Sequence, residues 1–129
     1  MARVLVVDDE EPIRVLLAQV LRRAGYAVTC AVNGDDALRC LHAEPADLVV
    51  TDLIMPGKEG IETITDIRRE YPGVGIIAMS GGGRAGPGNY LALAERLGAD
   101  RSLAKPFDRN VLLEAIREVL AEKAKLKGQ

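Results

Sequence analysis

Polar side chains that could perform chemistry stand where short apolar runs of the sequence end. They are Asp8, Asp9, Asp52, Ser80 and Lys105. The run before Asp52 is Leu48-Val49-Val50-Thr51, and Pro56-Gly57 turns the chain soon afterwards. A half-buried carboxylate without a partner costs several kcal/mol, roughly, so each acid needs a cation or a hydrogen-bond donor.

The residue types in this set indicate one kind of chemistry. Three carboxylates gathered at one point repel one another and call for a cation. They are hard oxygen ligands, and no Cys or His stands beside them, which favours Mg²⁺ over zinc. Lys105 suits a phosphoryl group, and the Ser80 hydroxyl can donate a hydrogen bond to it. Because a carboxylate can act as a nucleophile, the pattern predicts Mg²⁺-dependent phosphoryl transfer onto Asp52.

The elements that must position these residues alternate between strand and helix patterns. The predicted strands are 4–7, 26–30, 47–51, 74–79 and 100–104. Helical spacing of apolar residues follows each one, over 12–25, 37–44, 60–71, 91–98 and 108–120. Asn33-Gly34 is predicted as a turn, and Gly81–Gly88 as a loop. Five repeats of strand and helix predict an α/β fold with a parallel sheet, whose carboxyl ends share one edge.

The motifs together resemble the receiver domain of two-component response regulators, over essentially the whole chain. The matching segments are Val6-Val7-Asp8-Asp9-Glu10, Asp52-Leu53-Ile54-Met55-Pro56-Gly57 with Gly60, Met79-Ser80-Gly81, Gly98-Ala99-Asp100 and Lys105-Pro106-Phe107. The resemblance implies a flavodoxin-like, doubly wound, five-stranded parallel sheet with strand order 2-1-3-4-5. We expect residues 1–129 to form a single receiver domain with a polar tail at about 121–129.

The resemblance also implies a role for each site residue. Asp52 is expected to accept a phosphoryl group from a histidine kinase or a histidine phosphotransfer protein. Asp8 and Asp9 are expected to hold Mg²⁺ with Asp52 and the backbone carbonyl of Ile54. Ser80 and Lys105 are expected to contact the phosphoryl group.

The implied activity is that of a signalling module. The chain is expected to assist only its own phosphorylation and dephosphorylation, and not to act as an enzyme on other substrates. Phosphorylation is expected to change a surface around the fourth helix and fifth strand, which is offered to an unidentified partner protein.

Two departures from the family pattern bear on this switch. Family members usually carry Tyr or Phe three residues before the lysine, where this chain has Ser102. The loop after Ser80 is also Gly-rich and longer than is common, and it lacks the Lys-Ser/Thr of a nucleotide-binding P-loop. We therefore expect phosphorylation to reorganise this loop rather than to swing an aromatic side chain.

Three other interpretations share part of the pattern. Phosphatases of the haloacid dehalogenase type need a second acid two residues after the nucleophile, where this chain has Ile54. Flavodoxin-type binders need a phosphate loop rich in Gly, Ser or Thr after the first strand, where this chain has acids. A receiver domain cut from a longer regulator or hybrid kinase also stays open, although Met1 and the polar tail favour a complete single-domain protein.

Composition argues against several classes of partner. The net charge is -2 and aromatic residues make up 3% of the chain, which disfavours nucleic-acid binding. No signal peptide is evident, and no apolar segment approaches the roughly 20 residues needed to cross a bilayer, so we expect a cytoplasmic protein. Cys30 and Cys40 are predicted to be reduced core residues, and His42 an exposed residue without a role.

Overall fold

Strands and helices alternate along the described part of the chain. The structure, a computed structural model, describes residues 1–53, 60–80 and 87–127. The strands are β1 (Arg3–Val7), β2 (Ala27–Ala31), β3 (Leu48–Asp52), β4 (Gly75–Ser80) and β5 (Arg101–Ala104). The helices are α1 (Glu11–Arg23), α2 (Gly34–Ala43), α3 (Gly60–Glu70), α4 (Pro87–Leu97) and α5 (Arg109–Lys127).

The strands form one parallel sheet with the order β2-β1-β3-β4-β5. The predicted α/β class and the strand order 2-1-3-4-5 are therefore confirmed. β3 lies at the centre, between β1 and β4, and its register aligns Asp52 with Met79. From β1 the chain first adds β2 on one side and then β3, β4 and β5 on the other, so the direction of strand addition changes between β1 and β3. In open α/β sheets, ligands bind at the carboxyl ends of the strands beside such a point.

The sheet divides the hydrophobic core into two layers. One layer packs α2, α3 and α4 against one face, with Leu41, Ile64 and Ala94 among its fully or almost fully buried residues. The other packs α1 and α5 against the opposite face, around Leu21 and Ile116. Because both faces are covered, the inner strands are apolar at successive positions rather than at alternate ones.

Local signals explain where several helices begin and end. Pro12 lies in the first turn of α1, where its missing N–H costs nothing, and Gly25 follows the helix with a φ of 98°. Gly98 follows α4 in the same way, with a φ of 132°. None of the described helices is long and apolar enough to cross a membrane.

Three predicted boundaries differ from the structure by three residues or more. Asn33-Gly34 is not a free-standing turn, because the Asn33 side chain caps α2 by accepting a hydrogen bond from the Asp36 N–H at 2.8 Å. Helix α4 begins at Pro87, so the last two residues of the predicted 81–88 loop are helical and 81–86 lie outside the described residues. The segment from 121 continues α5 as far as Lys127, since its Ala, Glu and Lys residues are good helix formers.

Candidate functional site

The predicted site residues lie at the carboxyl-terminal edge of the sheet. Asp52 and Ser80 are the last residues of β3 and β4, and both are buried. Asp8 directly follows β1, and Lys105 directly follows β5. Backbone hydrogen bonds extend the sheet over these positions, with the Lys105 N–H donating to the Ser80 carbonyl at 2.8 Å. Four strands therefore deliver their predicted residues to one edge.

Lys105 joins two of the predicted carboxylates. Its Nζ lies 3.4 Å from Asp8 Oδ2 and 3.4 Å from Asp52 Oδ2. The Asp8 side chain is fully buried and that of Asp52 almost fully, whereas the lysine side chain remains 23% exposed. One ammonium balances one of the two negative charges, and the site keeps an excess of negative charge that favours a further cation.

Asp8 is held through each of its polar atoms. Its Oδ1 accepts a hydrogen bond from the Glu10 N–H at 2.9 Å, and its own N–H donates to the Ala31 carbonyl at 3.2 Å. Its carbonyl accepts a hydrogen bond from Arg14 Nη1 at 2.7 Å. Arg14 is not among the residues predicted from sequence, because its position on α1 does not distinguish it from Arg22 or Arg23.

A carboxylate cluster beside Asp8 fits a hard divalent cation. Ligand oxygens of Asp8, Asp9 and Glu10 lie within 4.8 Å of one another, with Asp8 buried and the other two exposed. An all-oxygen donor set is one that Mg²⁺ accepts while it keeps several water ligands. Glu10, which was not predicted as a ligand, lies beside the predicted ligands Asp8 and Asp9. The predicted contribution of the Ile54 carbonyl lies outside the described residues.

Ser102 occupies a contact between β5 and α4. Its Oγ donates a hydrogen bond to Glu95 Oε2 on α4. The neighbouring Leu103 packs on the opposite face of the sheet, in the layer of α1 and α5. At the position where the family usually has an aromatic residue, this chain therefore links strand and helix through a polar contact.

The Gly98-Ala99-Asp100 motif does not lie at the site. Asp100 precedes β5, at the opposite edge of the sheet, where its Oδ2 accepts hydrogen bonds from the Ile76 N–H at 2.9 Å and from Arg68 at 3.0 Å. These contacts fix the start of β4 and β5. The motif thus has a structural role in this chain.

The cysteines and the histidine lie away from the site residues. Cys30 and Cys40 are both free and half-buried, and they pack on different layers of the core. Burial raises the pKa of both thiols, which favours the protonated form at neutral pH. His42 is exposed, and its Nδ1 lies 3.5 Å from the Tyr71 hydroxyl.

The family model of the response regulator receiver domain matches residues 4–117. The chain belongs to this family. The match contains the described site residues, from Asp8 to Lys105. Receiver domains of response regulators take part in two-component signalling, together with histidine kinases or phosphotransfer proteins and downstream targets.

Solved structures of other receiver domains are similar to this one over nearly its whole length. A CheY-like receiver domain protein from Methanospirillum hungatei is 30% identical, with a TM-score of 0.89 over 97% of this chain and 98% of its own. TrrA from Thermotoga maritima, solved in complex with Mg²⁺ and BeF, is 34% identical, with a TM-score of 0.81 over 92% of this chain and 99% of its own.

A longer protein also contains a similar domain. NtrX from Brucella abortus is 30% identical, with a TM-score of 0.88 over 98% of this chain. The present chain spans 28% of the NtrX chain. Receiver domains of this kind therefore occur both alone and as part of a larger protein.

Proposed function

We propose that this receiver domain is a phosphoacceptor in which Asp52 takes a phosphoryl group from the phosphohistidine of a kinase or a phosphotransfer protein. The observation that carries the proposal is the position of Lys105, whose Nζ lies at 3.4 Å from both Asp8 and Asp52. A nucleophilic carboxylate, a fixed cation and an acidic cluster next to it are what phosphoryl transfer to aspartate requires.

The transfer is a simple displacement at phosphorus. A carboxylate oxygen of Asp52 attacks, the O–P bond forms, and the N–P bond of the phosphohistidine breaks. The released imidazole nitrogen keeps the electron pair of that bond. Lys105 remains beside the new phosphoryl group and offsets part of its charge, and the Ser80 hydroxyl donates to one of its oxygens.

The acidic cluster would bring further positive charge to the site by holding a metal ion. Asp8, Asp9 and Glu10 would hold Mg²⁺, together with Asp52 and the Ile54 carbonyl. When bound, the ion supplies charge neutralisation for the phosphoryl oxygens. The complex of TrrA with Mg²⁺ and BeF supports this assignment by similarity.

The signal leaves the domain through a changed surface. A phosphoryl group adds roughly -1.5 to -2 charges at the end of β3 and β4. Helix α4 and strand β5 lie beside that point, and Ser102 links them by its hydrogen bond to Glu95. In this proposal the domain acts on no other substrate. Its output is the surface formed by α4 and β5, which binds a partner protein in only one of the two phosphorylation states.

A groove between α1 and the start of α5 fits the phosphoryl donor. It has a volume of about 630 Å³, and its described lining is apolar except for two cations, Lys105 and Arg109. Leu16 lies on its α1 side and is 55% exposed. Because Lys105 belongs both to the groove and to the site, a protein bound there lies next to Asp52.

Intact mass after incubation with acetyl phosphate tests the acceptor and the metal together. We expect a single phosphoryl addition to the wild-type chain in the presence of Mg²⁺, and none without Mg²⁺. Asp52→Asn removes the nucleophile and conserves size, so it should show no addition. Thermal unfolding of both proteins controls for loss of fold.

Two results would contradict the proposal. One is equal modification of the wild type and Asp52→Asn. The other is the absence of modification under conditions in which a control receiver domain is phosphorylated. Steady release of phosphate from p-nitrophenyl phosphate would instead favour a phosphatase, the enzymatic alternative.

A further inference from the structure

The geometry points to Arg14 as a positioning residue that holds Asp8, and with it the metal-binding segment, in a shape suited to Mg²⁺. The inference rests on the proposed function, because it assigns a role at the same site. Arg14 lies on α1, outside the group of acids, serine and lysine from which the site was built, and it acts through Asp8.

Arg14 contacts the acidic segment at two points. Its guanidinium Nη1 donates to the Asp8 carbonyl at 2.7 Å. Its own backbone N–H donates to the Glu10 carbonyl at 3.1 Å. The second bond is a backbone bond of the first turn of α1 and does not depend on the side chain, so the guanidinium contact with Asp8 is the one that a substitution removes.

The contact with Asp8 is the shortest of the four hydrogen bonds that this residue makes within the described part of the chain. The others measure 2.9 Å from Glu10, 3.2 Å to Ala31 and 3.4 Å from Lys105. A hydrogen bond from a charged donor is also about twice as strong as a neutral one. The contact is partly buried, and removal of the guanidinium leaves the Asp8 carbonyl without its hydrogen-bond donor among the described residues.

Helix α1 makes Arg14 a rigid support. Leu17, Ala18 and Leu21 of the same helix are buried against the sheet, so the helix has little freedom to shift. Because the half-buried Arg14 side chain donates a hydrogen bond to the Asp8 carbonyl, it limits the movement of Asp8 relative to α1. Arg22, from the same helix, makes a superficially similar contact with the Val28 carbonyl, but that contact is exposed and measures 3.4 Å.

Two effects of Arg14 on Mg²⁺ binding have opposite signs. Arg14 carries a positive charge and repels a cation bound nearby. If this were its only effect, removal of Arg14 would raise the affinity for Mg²⁺. As a support for Asp8, it keeps a ligand in place, and its removal lowers the affinity. Residues that orient metal ligands are typically worth about 10-fold to 100-fold in affinity, so we expect positioning to dominate.

Calorimetric titration with Mg²⁺ separates the two effects. We expect Arg14→Met to raise the dissociation constant about 10-fold. Arg14→Lys keeps the charge and one possible hydrogen bond, and it should recover part of the loss. Arg22→Met removes an arginine from the same helix and should bind Mg²⁺ as the wild type does.

Amide hydrogen exchange in the metal-free proteins gives a second readout. The Asp8 and Glu10 amide protons, which donate to Ala31 and to the Asp8 carboxylate, should exchange faster in Arg14→Met than in Arg22→Met. If Arg14→Met does not fold, the same comparison is made with Arg14→Lys. A purely structural role of Arg14 would change thermal stability and leave the exchange pattern of these two amides unchanged.

The outcomes separate this inference from the proposed function. If the wild type binds Mg²⁺ and is phosphorylated, while the Arg14 variants bind as tightly as Arg22→Met or more tightly, the positioning role is overturned. If the wild type itself neither binds Mg²⁺ nor becomes phosphorylated, the proposed function fails. Weaker binding in the Arg14 variants alone, with faster exchange at Asp8 and Glu10, supports the inference.

Discussion

Arg68 uses all five of its side-chain N–H groups to connect the segments that precede β4 and β5. Its Nε donates to the Gly98 carbonyl at 3.1 Å, and its Nη1 donates to the carbonyls of Pro72 and Val74 at 2.8 and 2.9 Å. Its Nη2 donates to Gly98 again and to Asp100. A guanidinium has five such donors in a fixed plane, so lysine cannot replace it at this point.

Arg68→Met should therefore lower the free energy of unfolding by about 3 kcal/mol, because several carbonyls lose their donor at once. Urea denaturation measures this loss. Arg69→Met is the matched control: its side chain is 69% exposed and pairs only with carboxylates of its own helix among the described residues, so it should cost less than about 0.5 kcal/mol. Equal losses in the two variants would contradict the role of Arg68. Phosphorylation by acetyl phosphate should persist in both, because Arg68 lies at the edge opposite Asp52.

The start of α3 lies against the backbone that follows Asp52, the proposed phosphoacceptor. A Cβ on Gly60 would stand 2.3 Å from Leu53 Cα and 2.6 Å from the Asp52 carbonyl oxygen. The Gly60 N–H also donates to the Leu53 carbonyl at 3.2 Å. Since the atoms in the way are backbone and cannot rotate aside, this helix can approach β3 only without a side chain at its first residue.

Gly60→Ala should consequently displace the chain next to Asp52, with a cost of about 1–3 kcal/mol in stability and a slower initial rate of phosphorylation by acetyl phosphate. Gly75→Ala is the control, because its Cβ would meet a Val119 side-chain atom at 2.6 Å, at the other end of the sheet. It should lose stability while keeping the phosphorylation rate. Urea denaturation and timed intact-mass measurements give the two quantities. A normal rate in Gly60→Ala, together with lost stability, would show that this contact serves the fold alone.

The whole domain presents its site between two different surfaces. On one side, α1 and the start of α5 form the apolar groove that contains Lys105 and Arg109. On the other side lie α4 and β5, linked by Ser102 and Glu95. In the proposed function the phosphoryl donor binds to the first surface and the downstream partner binds to the second. Substitutions on one surface should therefore affect only one of these two binding steps.

Leu16→Glu tests the first of these surfaces. It places a charge on the exposed rim of the groove, where docking of a kinase would bury it at a cost of more than about 1.4 kcal/mol. Phosphoryl transfer from a histidine kinase that modifies the wild type should therefore slow by about 10-fold or more. Transfer from acetyl phosphate, which needs no docking surface, should be unchanged. Leu93→Glu introduces the same change on α4, where Leu93 is 41% exposed, and should leave both rates unaltered. Equal slowing of both donors in Leu16→Glu would mean that the substitution harms the site itself.

Much of the fold and of the site is predictable from the sequence, because its signals are local. Apolar runs bounded by turn residues mark the strands, and the parallel arrangement brings their carboxyl ends together, so the sequence predicts that Asp8, Asp52 and Lys105 meet. The strand order came from the family motifs. The errors lie at boundaries, as at Asn33, where the same residue type serves a turn or a helix cap and only the backbone that follows decides between them.

Tertiary structure decided which partner each polar side chain takes. The positions of Arg14, Arg22 and Arg68 in the sequence do not show which carbonyls they bind. The first binds the Asp8 carbonyl, the second an exposed carbonyl of β2, and the third the residues that precede β4 and β5. The pairing of Ser102 with Glu95 is equally invisible in the sequence. The physical reason is that a long polar side chain binds whichever hydrogen-bond acceptors lie within its reach. The positions of these acceptors are defined only when the helices have packed against the sheet.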